Sequence, residues 1–480
     1  MFENLLGQAA SDQLVEDIKT ALLAPAMLFS GPPASGKGTA ALELARIVSC
    51  EDLPPDSVPG HPDGTSARAS WKCQCPSCSR HRLLIHPDLL CLGWKPFYAE
   101  IAACAGAFQR DASQIEASQT AKSSASRMLF IRSVRKLLAR FNPVLWEDDP
   151  KAGKISPLVS SIDEDLDEVE RCSNEQRLNE QHSNEKDFDG QDSPAKIIEG
   201  ILKSVLKLES EGLSENVPIA QIRRAAWWGR LAPTGRAKMI IIENADRMQE
   251  EARNSLLKLL EEPPSRLYVV LTSPRQGSLP QTILSRLRPY RFVSRGAALE
   301  SDVIRRVFRD EAAASLSRGI GVYLDSFLPV TPETLGALAA FFAASVAYKA
   351  AILLKKQGRP LPEELVLLGK SSAPRTEAAG LGRPLGDPLA VVSLIMEKAS
   401  NFEMKTIFSR FLSCLLEQVS VSQRTTPSLK TPPFLPPVSY NDKWKDFSKW
   451  AETAVCIYNL KPTQVLEKFF TDISRGIAGL

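Results

Sequence analysis

The stretch Gly31-Pro-Pro-Ala-Ser-Gly36-Lys37-Gly38-Thr39 decides the fold class of this 480-residue chain. It lies between a short apolar run, Ala26–Phe29, and a segment whose apolar residues recur at helical spacing. A strand, a GxxxxGK loop and a helix in that order form a phosphate-binding loop, because the backbone N–H groups, the helix N-terminus and the lysine ammonium all attract phosphate. The sequence therefore predicts an α/β protein that binds a nucleotide phosphate at Gly31, Gly36, Lys37, Gly38 and Thr39.

The loop departs from the usual motif at one position. The residue after the lysine is normally Ser or Thr, whose hydroxyl binds Mg²⁺. Here it is Gly38, and Thr39 comes one position late. Bound ATP with Mg²⁺ is one interpretation of the motif, and a glycine turn without a ligand is the alternative.

Further strands alternate with helices later in the chain. Lys238–Ile242 and Leu267–Thr272 are apolar runs typical of buried strands, and Tyr290–Val293 is a shorter one. Between the first two, Glu250–Glu262 has leucines at helical spacing and ends at Pro263-Pro264. Strands that alternate with helices indicate a parallel sheet with helices on both faces.

The end of the strand at 238–242 bears on catalysis. In ATP-hydrolysing proteins of this layout, an Asp at this point holds Mg²⁺ and the following Glu polarises the attacking water. Here Glu243 takes the place of the Asp, and Asn244 takes the place of the Glu. An amide is not a base at neutral pH, and losing a general base typically lowers a rate by about 10²–10⁴-fold. We therefore expect weak or absent ATP hydrolysis.

Cysteines cluster after the phosphate-loop helix. Cys73, Cys75 and Cys78 lie close together, and Cys50 ends the preceding helix. Four thiolates form a closed, tetrahedral Zn²⁺ site of the structural kind. Zinc is thus the predicted metal, and unligated thiols in a reducing compartment are the alternative.

Charge is distributed unevenly. The chain has 59 Lys and Arg against 56 Asp and Glu, a net charge of +3, yet residues 161–193 hold 12 acidic and 3 basic residues. The rest of the chain is therefore basic, which is compatible with nucleic-acid contact. The acidic stretch has few large apolar side chains, so we predict that it is disordered.

Two features bear on localisation. The first residues lack the basic and apolar regions of a secretory signal. The uncharged run Leu335–Tyr348 is too short to cross ~30 Å of hydrocarbon, which favours a buried helix. We expect a cytoplasmic protein.

Composition and periodicity divide the chain into four parts. These are a core at 1–295 with the cysteine module near 50–81 and a polar, partly helical segment at about 95–217, a helical part at 296–370, a linker at 371–388, and a second helical part at 389–480.

The run at 238–292 resembles a known family. NSLLKLLEEPP (254–264) and TILSRLR (282–288) are signatures of the AAA+ module of bacterial clamp-loader subunits, which load the sliding clamp of DNA polymerase III. IENADRM (242–248) is most similar to the delta-prime subunit, whose second motif commonly lacks the hydrolytic acid. The resemblance covers about 1–50, 72–94 and 219–295, and it makes 95–217 an insertion.

The resemblance implies a role in DNA replication. An AAA+ P-loop core would be followed by a helical lid at 296–370 and a helical collar at 389–480 that joins a pentameric ring with gamma/tau and delta subunits. The ring would load the sliding clamp on primer–template DNA within the DNA polymerase III holoenzyme. The alternative is an ATP-hydrolysing gamma/tau-type subunit. A nucleoside monophosphate kinase shares the GKGT wording but leaves the run at 238–292 unexplained.

The resemblance also implies site residues. Ser285-Arg286-Leu287 is similar to the family's Ser-Arg-Cys motif, so Arg286 would be an arginine finger for the neighbouring subunit's ATP site, with a plain surface arginine as the alternative. Thr272 falls at the sensor position near the γ-phosphate, and a plain strand terminus is the alternative. The family's cysteine triplet is usually CxxCxxC, so the shorter gap here leaves open whether Cys73 or His81 completes the metal site.

Basic side chains are the candidates for DNA contact. Arg223-Arg224 falls near the start of one predicted helix, and a second predicted helix at Arg127–Phe141 carries Arg132, Arg135, Lys136 and Arg140. Phosphate contacts need no base-reading motif. Solvated side chains are the alternative for each of these residues.

Overall fold

The structure is a computed structural model. It consists of two compact units, Met1–Phe327 and Leu328–Leu480. The residues that it describes are 1–52, 70–113, 120–179, 194–214, 216–274, 277, 279–316, 319–399, 404–424, 440–456, 458 and 460–479.

The first unit is built on a five-stranded sheet. All neighbouring strands are parallel, and their order is β2-β3-β4-β1-β5. The fold class is confirmed: an α/β unit with a parallel sheet and helices on both faces, followed by an all-helical part. The last strand begins two residues before the predicted Tyr290. The strands are β1 Ala26–Ser30, β2 Leu89–Leu92, β3 Lys238–Ile242, β4 Leu267–Ser273 and β5 Arg288–Arg291.

Alternate residues of the strands enter two different cores, as the two-residue period of a strand requires. Met27 and Ile241 face a core shared with α1, α2 and the cysteine module. Leu28 and Ile240 face a larger core on the other side of the sheet. The helices of this unit before the insertion are α1 Ala9–Lys19, α2 Lys37–Val48 and α3 Pro76–Leu83, and those after it are α9 Ile219–Arg230, α10 Glu250–Glu261, α11 Gln281–Leu284, α12 Ala297–Val307, α13 Glu311–Ser315 and α14 Ile320–Asp325.

The insertion is a set of helices packed into the larger core. Its buried Phe97, Phe130 and Ile201 lie in one cluster with the sheet residues Leu90 and Leu92. The insertion is therefore part of the core and covers one face of the sheet. Its helices are α4 Tyr98–Ser113, α5 Thr120–Leu138, α6 Pro143–Trp146, α7 Ala152–Asn179 and α8 Pro194–Gly212, and Ala139–Phe141 continues α5 as a 3₁₀ turn.

The predicted disorder of 161–193 is wrong for its first part. Helix α7 runs through to Asn179, and Ile162, Leu166 and Val169 are buried in the larger core. These three residues recur at helical spacing, so one face of an acidic helix buries enough apolar surface to offset its ordering entropy. Residues 180–193 lie outside the described part of the chain.

The second unit, Leu328–Leu480, is helical in its described residues. Its central helix α15 buries Leu338, Phe341 and Phe342 against the later helices. This helix is long and apolar enough for a membrane span, but 72% of its most apolar window is buried inside the protein. The predicted buried helix at 335–348 is thus confirmed. The helices are α15 Pro332–Lys356, α16 Glu363–Ala378, α17 Pro388–Lys398, α18 Met404–Arg424, α19 Tyr440–Cys456 and α20 Pro462–Ala478.

The predicted boundaries at 295, 370 and 388 differ from the structure. Helices α12, α13 and α14 belong to the first unit, whereas α15 and α16 share a core with α18 and α20. The first half of the predicted linker, up to Ala378, continues α16, because Leu368, Ser372 and Thr376 pack on its buried face. The connection between α16 and α17 is therefore confined to residues 379–387.

A core substitution in α7 tests its folding. Leu166→Ala should lower the free energy of unfolding by about 2–5 kcal/mol, because the side chain is fully buried and leaves a cavity. Urea denaturation of the full chain measures the change. Glu164→Ala on the exposed face of α7 is the control and should shift stability by less than about 0.5 kcal/mol. Equal stability of the two variants would mean that α7 is not part of the core.

Candidate nucleotide and metal sites

The phosphate loop joins β1 to α2 in the predicted manner. Gly36 precedes the helix with φ 96°, a left-handed conformation that favours glycine. The Lys37 Nζ donates hydrogen bonds to the carbonyl oxygens of Gly31 and Pro32, the latter at 2.6 Å. Burial lowers the pKa of Lys37 to about 8, so the lysine remains mostly charged at neutral pH. The loop therefore has the backbone and the cation that a phosphate group requires.

Arg295 holds the loop from outside. Its Nη1 donates to the carbonyl oxygen of Ala34 at 2.7 Å, and its Nε donates to that of Leu6 at 2.9 Å. The guanidinium thus ties the phosphate loop to the N-terminal segment. Nothing in the sequence around Arg295 indicated this contact.

An internal ion pair lies at the end of β3. The Glu243 carboxylate accepts a hydrogen bond from the Arg140 guanidinium, and both side chains are about nine-tenths buried or more. Burial alone would raise the pKa of Glu243, but Lys95 and Arg140 outweigh it and hold that pKa below its ordinary value. Glu243 is therefore ionised and already has a cationic partner.

Arg140 is fixed by several other contacts. Its Nε donates to the carbonyl oxygen of Gly93 at 3.2 Å, and its guanidinium lies over the Phe97 ring at 5.2 Å from the centroid. The Trp146 indole donates to the Arg140 carbonyl oxygen at 2.8 Å. Because these partners come from the sheet edge and from the insertion, the arginine position depends on the whole insertion being folded.

The basic face of α5 is used inside the protein. Arg132 donates to the carbonyl oxygen of His81 at the end of α3, Lys136 pairs with the partly buried Glu100, and Arg140 pairs with Glu243. These residues are spaced by four, which places them on one helix face. Arg135 is also buried, and its pairing is with α7, through Glu170 at 3.6 Å. The sequence pattern had made these four residues candidates for contact with DNA phosphates. Their partners inside the protein do not support that role.

A buried carboxylate from the last helix of the insertion contacts the start of its first helix. The Glu209 side chain of α8 accepts backbone N–H groups of Phe97 and Tyr98, the latter at 2.9 Å, just at the start of α4. A carboxylate at a helix N-terminus satisfies orphan donors and interacts favourably with the helix dipole. This contact orients α4, which carries Glu100 toward Lys95 and Lys136.

The residues after Glu243 form hydrogen bonds with neighbouring loops and strands. The Asn244 Nδ2 donates to the carbonyl oxygen of Trp94 at 2.7 Å, and its backbone N–H donates to Thr272 Oγ1 at 3.1 Å. Asp246 accepts from the Ser273 hydroxyl at 3.2 Å. The carboxyl ends of β3 and β4 are thus joined to each other, and no residue here is placed as a base by these contacts.

These residues do not fit a bound Mg²⁺ ion. Residue 38 has no hydroxyl, and a Cβ built on Gly38 would lie 2.5 Å from Glu243 Oε1. The glutamate carboxylate therefore takes up the space that the usual Ser or Thr side chain would need. Of the motif's two protein ligands for Mg²⁺, the hydroxyl at residue 38 is missing, and the carboxylate of Glu243 is paired with Arg140.

The four predicted cysteines converge. The ligand atoms of Cys50, Cys73, Cys75 and Cys78 all lie within 4.8 Å of one another, and Cys50 Sγ and Cys73 Sγ are 3.7 Å apart. Tetrahedral Zn–S bonds of about 2.3 Å put sulfur atoms about 3.8 Å apart, so the donor set fits zinc. Hydrogen bonds from neighbouring thiols, first that of Cys78, lower the pKa of Cys50 to about 5, which favours the thiolate that a metal needs.

The structure favours Cys73 over His81 in this cluster. The His81 ring is buried and stacks on His86 with ring centroids 4.0 Å apart, and among the described residues it is not part of the cysteine group. Arg46, which pairs with the buried Glu43, donates from Nη1 to Cys78 Sγ at 3.1 Å. Such a donor stabilises a sulfur ligand from outside the metal's own shell.

Arg286 lies apart from the phosphate loop, at the end of α11. Its Nη2 pairs with Glu261 Oε1 at 2.6 Å, and its Nη1 donates to the carbonyl oxygen of Thr282 at 2.6 Å. About a third of the side chain is exposed. These partners, Glu261 and Thr282, belong to α10 and α11.

The structure brings most predicted site residues together. The phosphate-loop residues, Glu243 and Thr272 follow the carboxyl ends of β1, β3 and β4, where the register pairs Ser30 with Ser273. Arg286 is not part of that group. The site also contains Lys95, Arg140 and Arg295, which the sequence did not predict, and only the four-residue spacing on α5 could have indicated Arg140.

Zinc content tests the cysteine cluster. The purified chain should contain about one zinc per molecule by atomic emission, because four converging thiols form a closed site. Cys73→Ser should release most of that zinc, whereas His81→Ala should retain it. Zinc lost from His81→Ala but retained in Cys73→Ser would reverse the ligand assignment, and a folded, metal-free wild type would refute the site.

The buried ion pair should show in the pH dependence of stability. Because the pKa of Glu243 is below its ordinary 4.5 in the folded chain, its contribution is complete above that pH and is lost as the pH falls through the folded value. Glu243→Gln should lower the free energy of unfolding by about 3–5 kcal/mol at pH 7, and the difference from wild type should shrink below about pH 4.5.

Urea unfolding across this pH range measures the effect. Glu311→Gln, which removes an exposed carboxylate paired with Arg305, is the control and should change stability by less than about 1 kcal/mol. A difference between wild type and Glu243→Gln that grows as the pH falls would contradict the assignment.

Part of the chain is similar to known proteins. Residues 159–295 match the family model described as DNA polymerase III, delta subunit. The DNA polymerase III subunit delta' of Pseudomonas aeruginosa is 31% identical over 129 residues, and the match spans 27% of this chain and 39% of the length of that relative.

A solved structure is also similar. The crystal structure of a DNA polymerase III, gamma subunit-related protein from Thermotoga maritima matches 57% of this chain and 90% of its own, with 19% sequence identity and a TM-score of 0.28, which is too low to carry an inference. The match to the delta subunit model includes the signature run at 238–292. Over residues 159–295 the chain is therefore similar to the delta subunit of DNA polymerase III.

Proposed function

We propose that this chain is the delta-prime-type subunit of a DNA polymerase III clamp loader and hydrolyses little or no ATP itself. The observation that carries the proposal is the state of the second motif. Glu243 is paired with Arg140, and the amide of Asn244 is bonded to a backbone carbonyl, so neither holds a metal or activates a water. A gamma/tau-type subunit that hydrolyses ATP is the alternative, and it needs an acid at this point.

A chain that does not hydrolyse ATP itself would act through its neighbours in the complex. We propose that the chain joins gamma/tau and delta subunits in a pentameric ring that places the sliding clamp on primed DNA in the cytoplasm. The helical unit Leu328–Leu480 would serve as the collar, in place of 389–480 alone. The name of the Pseudomonas relative supports this role.

Arg286 is the proposed contribution to catalysis in trans. A guanidinium is permanently charged and suits the charge that develops on a γ-phosphoryl group. The partial exposure of Arg286 and its position in TILSRLR support this role. On this proposal Glu261, its partner in the isolated chain, releases the guanidinium when the neighbouring subunit binds.

The zinc proposed for the cysteine cluster would be structural. It would cross-link the end of α2, through Cys50, to the start of α3, through Cys75 and Cys78. All four ligands would be protein thiolates, which leaves no open position for catalysis.

Reconstitution with the neighbouring subunits tests the proposal. Arg286→Ala should lower the clamp- and DNA-stimulated ATP turnover of the complex by about 10³-fold or more while the complex still assembles, because an arginine finger acts on the transition state. Arg288→Ala is the matched control, since that guanidinium in the same segment pairs with Asp17 of its own chain.

Each outcome has a clear meaning. Assembly by gel filtration, with lost turnover only in Arg286→Ala, is the expected result. Unchanged turnover in Arg286→Ala would refute the proposed role of Arg286 as an arginine finger. Failure of the wild-type chain to join the other subunits would remove the proposed function altogether.

A further inference from the structure

We infer that Arg140 takes the place of the magnesium ion at the phosphate loop and excludes divalent cations from it. This inference deepens the proposed function, on which it rests, by naming the residue that makes the site insensitive to metal. The insertion that carries Arg140 thus contributes directly to the nucleotide site. The signature motifs at 238–292 give no sign of it.

The position of the guanidinium is the first argument. Arg140 Nη2 bonds to Glu243 Oε2, and the other oxygen of the same carboxylate lies where a side chain on residue 38 would be. In a GK[ST] loop that is the region of the metal-binding hydroxyl. One oxygen of the carboxylate therefore already has a cationic partner, and the other oxygen fills the region of that hydroxyl.

Charge is the second argument. Arg140, Lys95 and Lys37 all interact with Glu243, so one carboxylate is shared among three cations. The charge of Glu100 is used in its own ion pairs with Lys95 and Lys136. Asp246 also interacts with Lys37 and accepts a hydrogen bond from the Ser273 hydroxyl. A divalent cation would add two further charges to a group whose carboxylates already have partners, and like-charge repulsion and desolvation oppose that.

Rigidity is the third argument. Arg140 is held by Gly93, Phe97 and Trp146. Eight residues earlier on the same helix face, Arg132 anchors α5 to the last turn of α3. Burial alone would lower the pKa of Arg140, but Glu243 outweighs it and the pKa lies above its ordinary value. The guanidinium neither swings aside readily nor loses its charge.

Binding of ATPγS to the isolated full-length chain tests the inference. Isothermal titration calorimetry is run in MgCl₂ and in EDTA on the wild type, on Gly38→Ser and on Gly38→Ser/Arg140→Gln. The wild type and Gly38→Ser should show no gain in affinity from Mg²⁺ beyond about twofold, because the carboxylate stays pinned in the space that the new hydroxyl needs. The double variant should bind ATPγS about tenfold or more tightly with Mg²⁺ than with EDTA, since the carboxylate is released to the metal.

Controls separate the possible failures. Gly38→Ser/Arg224→Ala removes an arginine whose partners, Glu147 and Asp148, are exposed, and it should behave as Gly38→Ser alone. Circular dichroism verifies that each variant is folded. If the double variant does not fold, the wild type and Gly38→Ser still decide, because a tenfold gain from Mg²⁺ in either one overturns the inference.

A folded double variant without any gain from Mg²⁺ also overturns the inference. These outcomes are distinct from the failure of the proposed function, which is read from assembly and turnover in the reconstituted complex. A chain that assembles but binds ATPγS in a magnesium-dependent way would keep the proposed function and lose the role of Arg140.

Discussion

The buried ion pair between Arg140 and Glu243 is the interaction on which the rest of the first unit depends. A buried carboxylate is costly without a partner, and the partner here comes from a helix of the insertion 103 residues earlier in the chain. The pair therefore requires the sheet edge and the insertion to fold together. It also converts a position that metal-dependent ATPases keep for a cation ligand into a closed structural contact.

Helix α5 extends that constraint across the unit. One face of it contacts the end of α3 through Arg132, the start of the insertion through Lys136 and Glu100, and the end of β3 through Arg140. The cysteine cluster includes the start of α3, through Cys75 and Cys78, and would hold that helix in place when zinc is bound. A single basic helix thus contacts both the helix that carries two of the clustered cysteines and the end of β3.

Local motifs made much of the site predictable. The phosphate loop, the strand that ends at Glu243 and the cysteine cluster are each encoded by neighbouring residues, and the structure has all three where the sequence indicated. Arg140 was missed because its partner is distant in sequence and no motif joins them. The acidic stretch was misjudged because composition hides the helical spacing of Ile162, Leu166 and Val169. The linker was misjudged for a related reason, since Pro374 lies inside a helix whose buried face is otherwise continuous.

We propose a phosphate loop that does not support the hydrolytic chemistry of an ATPase. Steady-state ATP turnover by the isolated, zinc-replete chain is the most direct test, with Lys37→Ala measured alongside. Both proteins should remain at the background rate, because Glu243 is paired with Arg140 and Asn244 carries an amide in place of a base. Rapid turnover by the wild type that Lys37→Ala abolishes would contradict it.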